Sequence, residues 1–160
     1  GVGPVASILE SILSLERAVE VVVAVGRNED LAQELAQIKV PRRHRVKIQG
    51  FTKKIHELMR LADLVVSKPG GLTTSEVLAC GAAMVVVNPI PGQEARNSDY
   101  LLEEGAAIKV NNLPTLGFKL RRLLADEKRF DTLKKRAKEL GRPRAAYAVA
   151  ERALELAKKS

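Results

Sequence analysis

The sequence has few of the residues and segments that are typical of secreted or membrane-spanning proteins. Its 160 residues include a single cysteine, Cys80, so no internal disulfide can form, which favours a reducing cytoplasm. No basic-then-apolar leader opens the chain. The longest uncharged apolar run, Leu78–Pro91, is shorter than the ~20 residues of a membrane helix. We therefore expect one cytoplasmic domain that covers residues 1–160.

Aromatic residues are also scarce, at 3% of the chain with no tryptophan. Few side chains can stack on bases, which argues against nucleic acid as a partner despite the formal net charge of +8. The positive charge instead favours a phosphate-bearing small molecule, or an anionic membrane surface on which the protein lies peripherally. Much of the charge lies in Lys39–Lys47 and Lys128–Lys138, and such runs are also typical of an ordinary solvated face.

Motifs for metal binding, nucleophilic catalysis and nucleotide hydrolysis are absent from the sequence. Neither His44 nor His56 has a Cys or carboxylate cluster at metal-ligand spacing, so we expect no metal site and no cofactor. Cys80 lies in an apolar helical stretch and is interpreted as a small core residue. No Gly-x-Ser-x-Gly or Walker-type motif occurs, so nucleotide hydrolysis at a P-loop is not expected.

Short apolar runs alternate with helical stretches along the whole chain, which is the pattern of βαβ units. The runs are nearly continuously apolar, as buried parallel strands should be, and predict strands at Glu20–Val25, Arg45–Gln49, Asp63–Ser67, Ala83–Val87 and Ala106–Val110. Helices are predicted at Pro4–Arg17, Glu29–Gln37, Ile55–Leu61, Leu72–Ala79, Glu94–Glu103, Leu116–Leu124, Glu127–Leu140 and Arg144–Lys158. The predicted fold class is α/β, with a Rossmann-like parallel sheet and helices on both faces.

The first residues, Gly1-Val2-Gly3-Pro4, look like the end of a glycine-rich turn between a strand and a helix, yet no strand precedes them. In a doubly wound sheet the strand before such a turn is a central one. The sequence therefore predicts a sheet that lacks its first strand, as in a fragment of a larger protein.

A polar loop at Ser67–Glu76 follows the third predicted strand and leads into a helix. Its two glycines allow close backbone approach, and a helix N-terminus attracts phosphate. The hydroxyls of Thr73 and Thr74 can add hydrogen bonds, and the carboxylate of Glu76 can accept hydrogen bonds from two vicinal ribose hydroxyls. The alternative is an ordinary turn in which Thr73 or Thr74 caps the helix and Glu76 completes a capping box.

A second polar loop, Asn88–Asn97, follows the next strand. Ligands of open α/β sheets bind outside the carboxyl ends of the strands, so we expect a concave site between the two loops. Gln93, Glu94 and Asn97 offer donors and acceptors that suit the hydroxyls of a hexose. The alternative is that Gln93 and Glu94 merely begin a helix, where a Glu also interacts favourably with the helix dipole.

Several segments together resemble a known family. They are Gly50-Phe51, His56-Glu57-Leu58-Met59, Ala62-Asp63-Leu64, Ser67-Lys68-Pro69-Gly70-Gly71-Leu72-Thr73, Ser75-Glu76, and Asn88-Pro89-Ile90-Pro91-Gly92-Gln93-Glu94 with Asn97. This pattern resembles the carboxy-terminal domain of monogalactosyldiacylglycerol synthase and of the processive diacylglycerol glucosyltransferases. The resemblance covers most of the chain, is strongest from Gly50 to Asn97, and implies the carboxy-terminal half of the two-domain GT-B fold.

The resemblance also implies roles for individual residues toward a uridine-diphosphate (UDP) sugar. Phe51 borders the uracil, Gly70–Thr74 holds the diphosphate and Glu76 takes the ribose hydroxyls, while Gln93 and Glu94 hold the sugar. Gly3 matches the end of a glycine loop that closes over the diphosphate. The candidate substrate-binding residues are Gly3, Phe51, Lys68, Gly70, Gly71, Leu72, Thr73, Thr74, Glu76, Pro91, Gln93, Glu94 and Asn97.

The function implied by the resemblance is that of the donor-binding domain of an inverting glycosyltransferase, which transfers a hexose from a UDP-sugar to a lipid such as diacylglycerol. No catalytic residue is expected in this chain, because the general base and the acceptor site belong to the amino-terminal half of such enzymes. Two alternatives stay open: a non-catalytic UDP-sugar-binding module, and a sugar-nucleotide epimerase of related architecture, to which the loop Pro89–Gln93 is a poor match. The sequence leaves the sugar, the acceptor and the oligomeric state open.

Overall fold

A computed structural model describes residues 5–158. Within this range the strands are β1 (Glu20–Gly26), β2 (Arg45–Gly50), β3 (Leu64–Ser67), β4 (Ala83–Val87) and β5 (Ala107–Val110). The helices are α1 (Val5–Leu13), α2 (Glu29–Ala36), α3 (Ile55–Leu61), α4 (Gly71–Cys80), α5 (Gln93–Glu103), α6 (Leu116–Ala125), α7 (Glu127–Leu140) and α8 (Ala145–Ala157), with a 3₁₀ turn at Leu113–Thr115. All five strands and eight helices predicted from the sequence are therefore present.

The strands form two parallel sheets. β1 pairs with β2 from Glu20↔Arg45 onward, and β4 lies between β3 and β5 in the second sheet. Within residues 5–158, no strand pairs with the other edge of β1 or of β3. A parallel α/β fold is confirmed, and within residues 5–158 its strands are divided between two sheets.

The strand β4 is the centre of the second sheet and is buried along its whole length. Met84 and Val86 pack against α4, α5 and α7, whereas Val85 and Val87 pack against α1 and α6. Helices therefore cover both faces of this sheet. A strand buried on both faces needs a continuous apolar sequence, which Ala83–Val87 supplies.

The strand β1 is also almost entirely apolar, but its burial alternates along the chain. Val21, Val23 and Val25 pack against α1 and α2, while Val22 on the opposite face is 41% exposed. Here the prediction of a strand buried on both faces was wrong. Only one face of β1 is covered by the described chain.

The helix α1 ends at Leu13, earlier than the predicted Arg17, and the ring of His44 lies beside its last residues. The imidazole is buried, and its Nε2 lies 3.1 Å from the carbonyl oxygens of Leu13 and Leu15. Its Nδ1 accepts a hydrogen bond from the backbone N–H of Val19 at 3.3 Å. The ring therefore links the end of α1 to the start of β1, so His44 has a structural role.

Candidate functional site

The helix α4 begins at the carboxyl end of β3 without a side-chain cap. Its N-cap residue is Gly70, at φ −62° and ψ 149°, and no side chain accepts a hydrogen bond from the first turn. The interpretation in which Thr73 or Thr74 caps the helix is therefore wrong. Because the first N–H groups of a helix carry partial positive charge, this start can bind an anion.

Five predicted site residues lie in the first two turns of α4: Gly71, Leu72, Thr73, Thr74 and Glu76. The side chain of Leu72 is 82% exposed, and Thr73 is half-buried. Thr74 is 7% exposed, and its Oγ1 has no hydrogen-bond partner in the described residues. Glu76 is exposed, and within residues 5–158 its carboxylate has no hydrogen-bond or ion-pair partner, which leaves it available to a ligand.

The helix α5 also begins at a glycine. Gly92 has φ 103° and ψ −121°, a conformation that side-chain-bearing residues rarely adopt, and no side chain caps this helix. The Glu94 carboxylate accepts a hydrogen bond of 2.8 Å from the backbone N–H of Ile90. Glu94 thus stabilises the loop that precedes α5, while Pro91 and Gln93 are exposed.

The two polar loops meet in the structure. They follow the paired strands β3 and β4, and a Cβ placed on Gly71 would lie 3.3 Å from Nε2 of Gln93. Asn97 donates a hydrogen bond of 2.8 Å to the carbonyl oxygen of Pro69, next to the half-buried Lys68. The predicted proximity of the loops is confirmed, with the Gln93 amide at the start of α4. The binding of a sugar by Gln93, Glu94 or Asn97 stays a prediction.

The two-stranded sheet contributes one aromatic residue to the predicted site. Phe51 directly follows β2 and its side chain is 57% exposed. The guanidinium carbon of Arg27, which directly follows β1, lies 4.7 Å from the centroid of the Phe51 ring. Arg27 was not among the site residues predicted from the sequence. A basic residue that follows a strand gives no sign in the sequence that it contacts the ring of Phe51. The predicted residue Gly3 lies outside the described residues.

The thiol of Cys80 has the properties of an unreactive side chain. It is half-buried, and its Sγ lies 3.8 Å from the carbonyl oxygen of His56. Burial raises the pKa of the Cys80 thiol, Arg60 lowers it by its charge, and Glu76 raises it. Since the net shift is upward, the thiol stays protonated near neutral pH, in line with its interpretation as a packing residue rather than a nucleophile.

The described residues contain neither a metal-ligand cluster nor a helix that could span a membrane. Residues 5–158 contain no group of three or more His, Cys, Asp or Glu side chains that could hold a metal ion. No helix in this range combines the length and the hydrophobicity that a membrane span requires.

Comparison with known proteins connects this geometry to one family. The model of the glycosyltransferase family 28 C-terminal domain matches residues 5–152. The processive diacylglycerol beta-glucosyltransferase of Bacillus subtilis strain 168 is 36% identical over 122 residues, which are 76% of this chain and 32% of the relative. The chain spans about a third of the length of such relatives.

Solved structures share this fold, and two of them are named glycosyltransferases, VinC and SnogD from Streptomyces nogalater. MurG of Acinetobacter baumannii superposes with a TM-score of 0.69 at 21% identity over 88% of this chain and 42% of its own. Anabaena Alr3699/HepE, solved in complex with UDP and glucose, gives 0.69 at 18% identity over 97% and 44%. At these identities the likeness establishes the fold alone. The match over residues 5–152 shows that the chain belongs to the glycosyltransferase family 28 C-terminal domain family.

Proposed function

We propose that this chain is the donor-binding domain of an inverting glycosyltransferase that transfers a hexose from a UDP-sugar to a lipid acceptor such as diacylglycerol. One observation carries the proposal: the amide of Gln93 lies against Gly71 at the uncapped start of α4. A group that binds anions and a group that binds hydroxyls are therefore adjacent. A nucleotide diphosphate joined to a sugar requires this combination.

In the proposed complex the diphosphate lies at the start of α4. The backbone N–H groups after Gly70 donate to its oxygens, and the helix dipole favours its charge. The exposed carboxylate of Glu76 accepts hydrogen bonds from the two ribose hydroxyls. The hydroxyls of the hexose bind Gln93, and the uracil lies against Phe51.

The chemical contribution of the domain is stabilisation of the leaving group. When the bond between sugar and phosphate breaks, negative charge grows on the diphosphate, and preorganised N–H donors stabilise that charge without reorienting. Inversion by single displacement also needs a base that removes the proton of the acceptor hydroxyl. This chain spans about a third of the length of its relatives. We therefore assign that base to a part of the enzyme that lies outside this chain.

The names of the compared proteins support the proposed donor and acceptor. The Bacillus subtilis relative is named a processive diacylglycerol beta-glucosyltransferase, and the Anabaena protein was solved with UDP and glucose. The second name fits a uridine-nucleotide donor, and the first fits transfer of a hexose. Transfer to diacylglycerol by the whole enzyme is inferred from the first name alone.

Calorimetric titration of the chain with UDP and ADP tests the proposal. We expect UDP to bind more tightly than ADP, and a UDP-hexose to bind without turnover. Binding of ADP with no heat from UDP would contradict the nucleotide assignment. Release of free hexose or transfer by this chain alone would contradict the assignment of the base to another domain.

We further propose that an anionic membrane surface is a second partner and that the protein lies peripherally on it. Lys39, Arg42, Arg45 and Lys47 are exposed, and none of them forms an ion pair within residues 5–158. No Asp or Glu occurs between Lys39 and Lys47. Each basic side chain near such a surface adds about 1 kcal/mol of attraction.

Sedimentation with lipid vesicles tests the membrane proposal. We expect the chain to sediment with phosphatidylglycerol vesicles in low salt and to remain in the supernatant with phosphatidylcholine vesicles. The variant with both Arg45→Glu and Lys47→Glu should lose the interaction. An unchanged sedimented fraction for this variant would rule out this surface.

A further inference from the structure

We propose that Arg27 is a positioning residue for the nucleotide base: its guanidinium holds the Phe51 ring as the platform on which the base stacks. This inference rests on the proposed function and extends it to a residue outside the predicted site. It assigns Arg27 an action through Phe51 rather than a contact with the ligand.

The strand pairing brings the two side chains together. β1 and β2 are parallel, and their last paired residues are Gly26 and Gly50, so Arg27 and Phe51 each follow directly. Gly26 has a φ of 61°, in the left-handed region, and the pairing is irregular between Ala24 and Gly26. The chain therefore turns sharply after β1, and the Arg27 guanidinium lies 4.7 Å from the Phe51 ring centroid.

The chemistry of the pair fits a stacking platform. A guanidinium is planar and weakly hydrated, and it stacks on an aromatic face with electrostatic attraction. Within residues 5–158, Arg27 forms no hydrogen bond or ion pair, so the ring is its specific contact. Phe51 remains 57% exposed, which leaves ring surface for a planar base. Stacking of bases on aromatic side chains is a common mode of nucleotide recognition.

The pair also limits the motion of the ring before the ligand binds. An exposed Phe without a neighbour loses rotamer freedom when a base orders it, and that loss weakens binding. Arg27 reduces this loss because it already holds the ring in place. We therefore expect Arg27→Ala to weaken the binding of uridine and of UDP by the same factor, about 3- to 10-fold.

The experiment compares three variants with the wild-type chain, with dissociation constants measured by NMR titration. Arg27→Ala removes the stack, and Arg27→Lys keeps the charge without the planar group, so its loss should be about 2- to 3-fold. Arg122→Ala is the control for net charge, since Arg122 is an exposed residue of α6. We expect no change in affinity for the control.

A double-mutant cycle with Phe51→Leu separates positioning from direct contact. If Arg27 acts through the ring, Arg27→Ala should cost nothing further in the Phe51→Leu background. The δ-protons of Arg27 should also lose their ring-current shift in Phe51→Leu. Two results would overturn the positioning role. One is that Arg27→Ala lowers affinity as much in the Phe51→Leu background as in the wild-type chain. The other is that Arg27→Ala lowers the affinity for UDP but not for uridine.

Failure of the two proposals can be told apart. A wild-type chain that binds neither uridine nor UDP contradicts the proposed function, and with it the role of Arg27. A wild-type chain that binds both, with Arg27→Ala equal to wild type, contradicts the role of Arg27 alone.

Discussion

Two pairs of helices in this domain begin in different ways. The helices α2 and α7 are capped by side chains: Asn28 accepts from the N–H of Leu31, and Asp126 accepts from that of Arg129, both at 3.0 Å. The helices α4 and α5 begin at Gly70 and Gly92, which have no side chain to offer. Since Gly in place of a capping side chain costs only about a few tenths of a kcal/mol, the glycine starts forgo little of the stability that the capped helices have.

Between these two pairs, the difference follows the position of the helices relative to the candidate site. Both glycine starts belong to the loops after β3 and β4, which meet at Gly71 and Gln93. The first turn of α4 has no acidic residue, whereas that of α2 contains Glu29 and Asp30. A carboxylate in the first turn satisfies a helix start but repels a phosphate. The comparison therefore fits the proposal that the first N–H groups of α4 bind an anionic ligand.

The largest effect on UDP affinity is expected for Gly70→Asp, which gives α4 a side-chain cap like those of α2 and α7. A Cβ at Gly70 would meet nothing within 4 Å, and its φ of −62° suits any residue, so the fold should tolerate the change. We expect UDP affinity to fall by about 3 kcal/mol, because a carboxylate then lies near the diphosphate. Thermal stability should stay equal or rise slightly.

The control for this experiment is Gly70→Ala, which adds a methyl group without charge or cap. Its UDP affinity should stay close to that of the wild-type chain when both are measured by calorimetry. Equal affinity of the Asp and wild-type chains would mean that the start of α4 does not bind the diphosphate.

The next largest effect is expected for Glu76→Ala, which tests whether the first turns of α4 contribute a ribose ligand. We expect UDP binding to weaken by about 1–3 kcal/mol, the strength of hydrogen bonds to a charged group. The wild-type chain should bind 2′-deoxy-UDP less tightly than UDP, and the variant should bind both equally. If the variant had a much lower Tm yet bound UDP normally, Glu76 would stabilise the helix rather than bind the ribose.

A smaller and more selective effect is expected when Gln93 and Glu94 are both replaced by Ala. Affinity for UDP should stay nearly unchanged, while affinity for a UDP-hexose should fall about tenfold, because polar groups that pair hydroxyls are lost. Glu94 also accepts a hydrogen bond from Ile90, so Gln93→Ala alone separates sugar binding from loop order. Equal losses for both ligands would assign these side chains to the phosphates.

The smallest effect is expected for Asp126→Ala, which removes the cap of α7. We expect a loss of about 1 kcal/mol of unfolding free energy, or about 2–4 °C in Tm, and no change in UDP affinity. Differential scanning calorimetry and the same UDP titration measure both. A change in affinity would contradict the separation of capped and ligand-binding helix starts.

The positions of most elements could be predicted from local sequence. β4 has the predicted bounds, Ala83–Val87. A short, continuously apolar run between loops that contain glycine and proline is typical of a strand buried on both faces. The alternation of such runs with helices also led to a parallel α/β fold. The exposure of Val22 in β1 was not predictable, since it depends on what covers the second face of the sheet.

The sequence by itself determined the two polar loops, their order along the chain and their attachment to adjacent strands. Only the tertiary structure decided that Gly70 rather than a threonine begins α4, and that Gln93 lies against Gly71. The tertiary structure alone revealed that the guanidinium of Arg27 contacts the ring of Phe51. Local sequence encodes hydrophobic periodicity and turn chemistry, whereas these contacts join residues that meet only when parallel strands pair across long crossover connections.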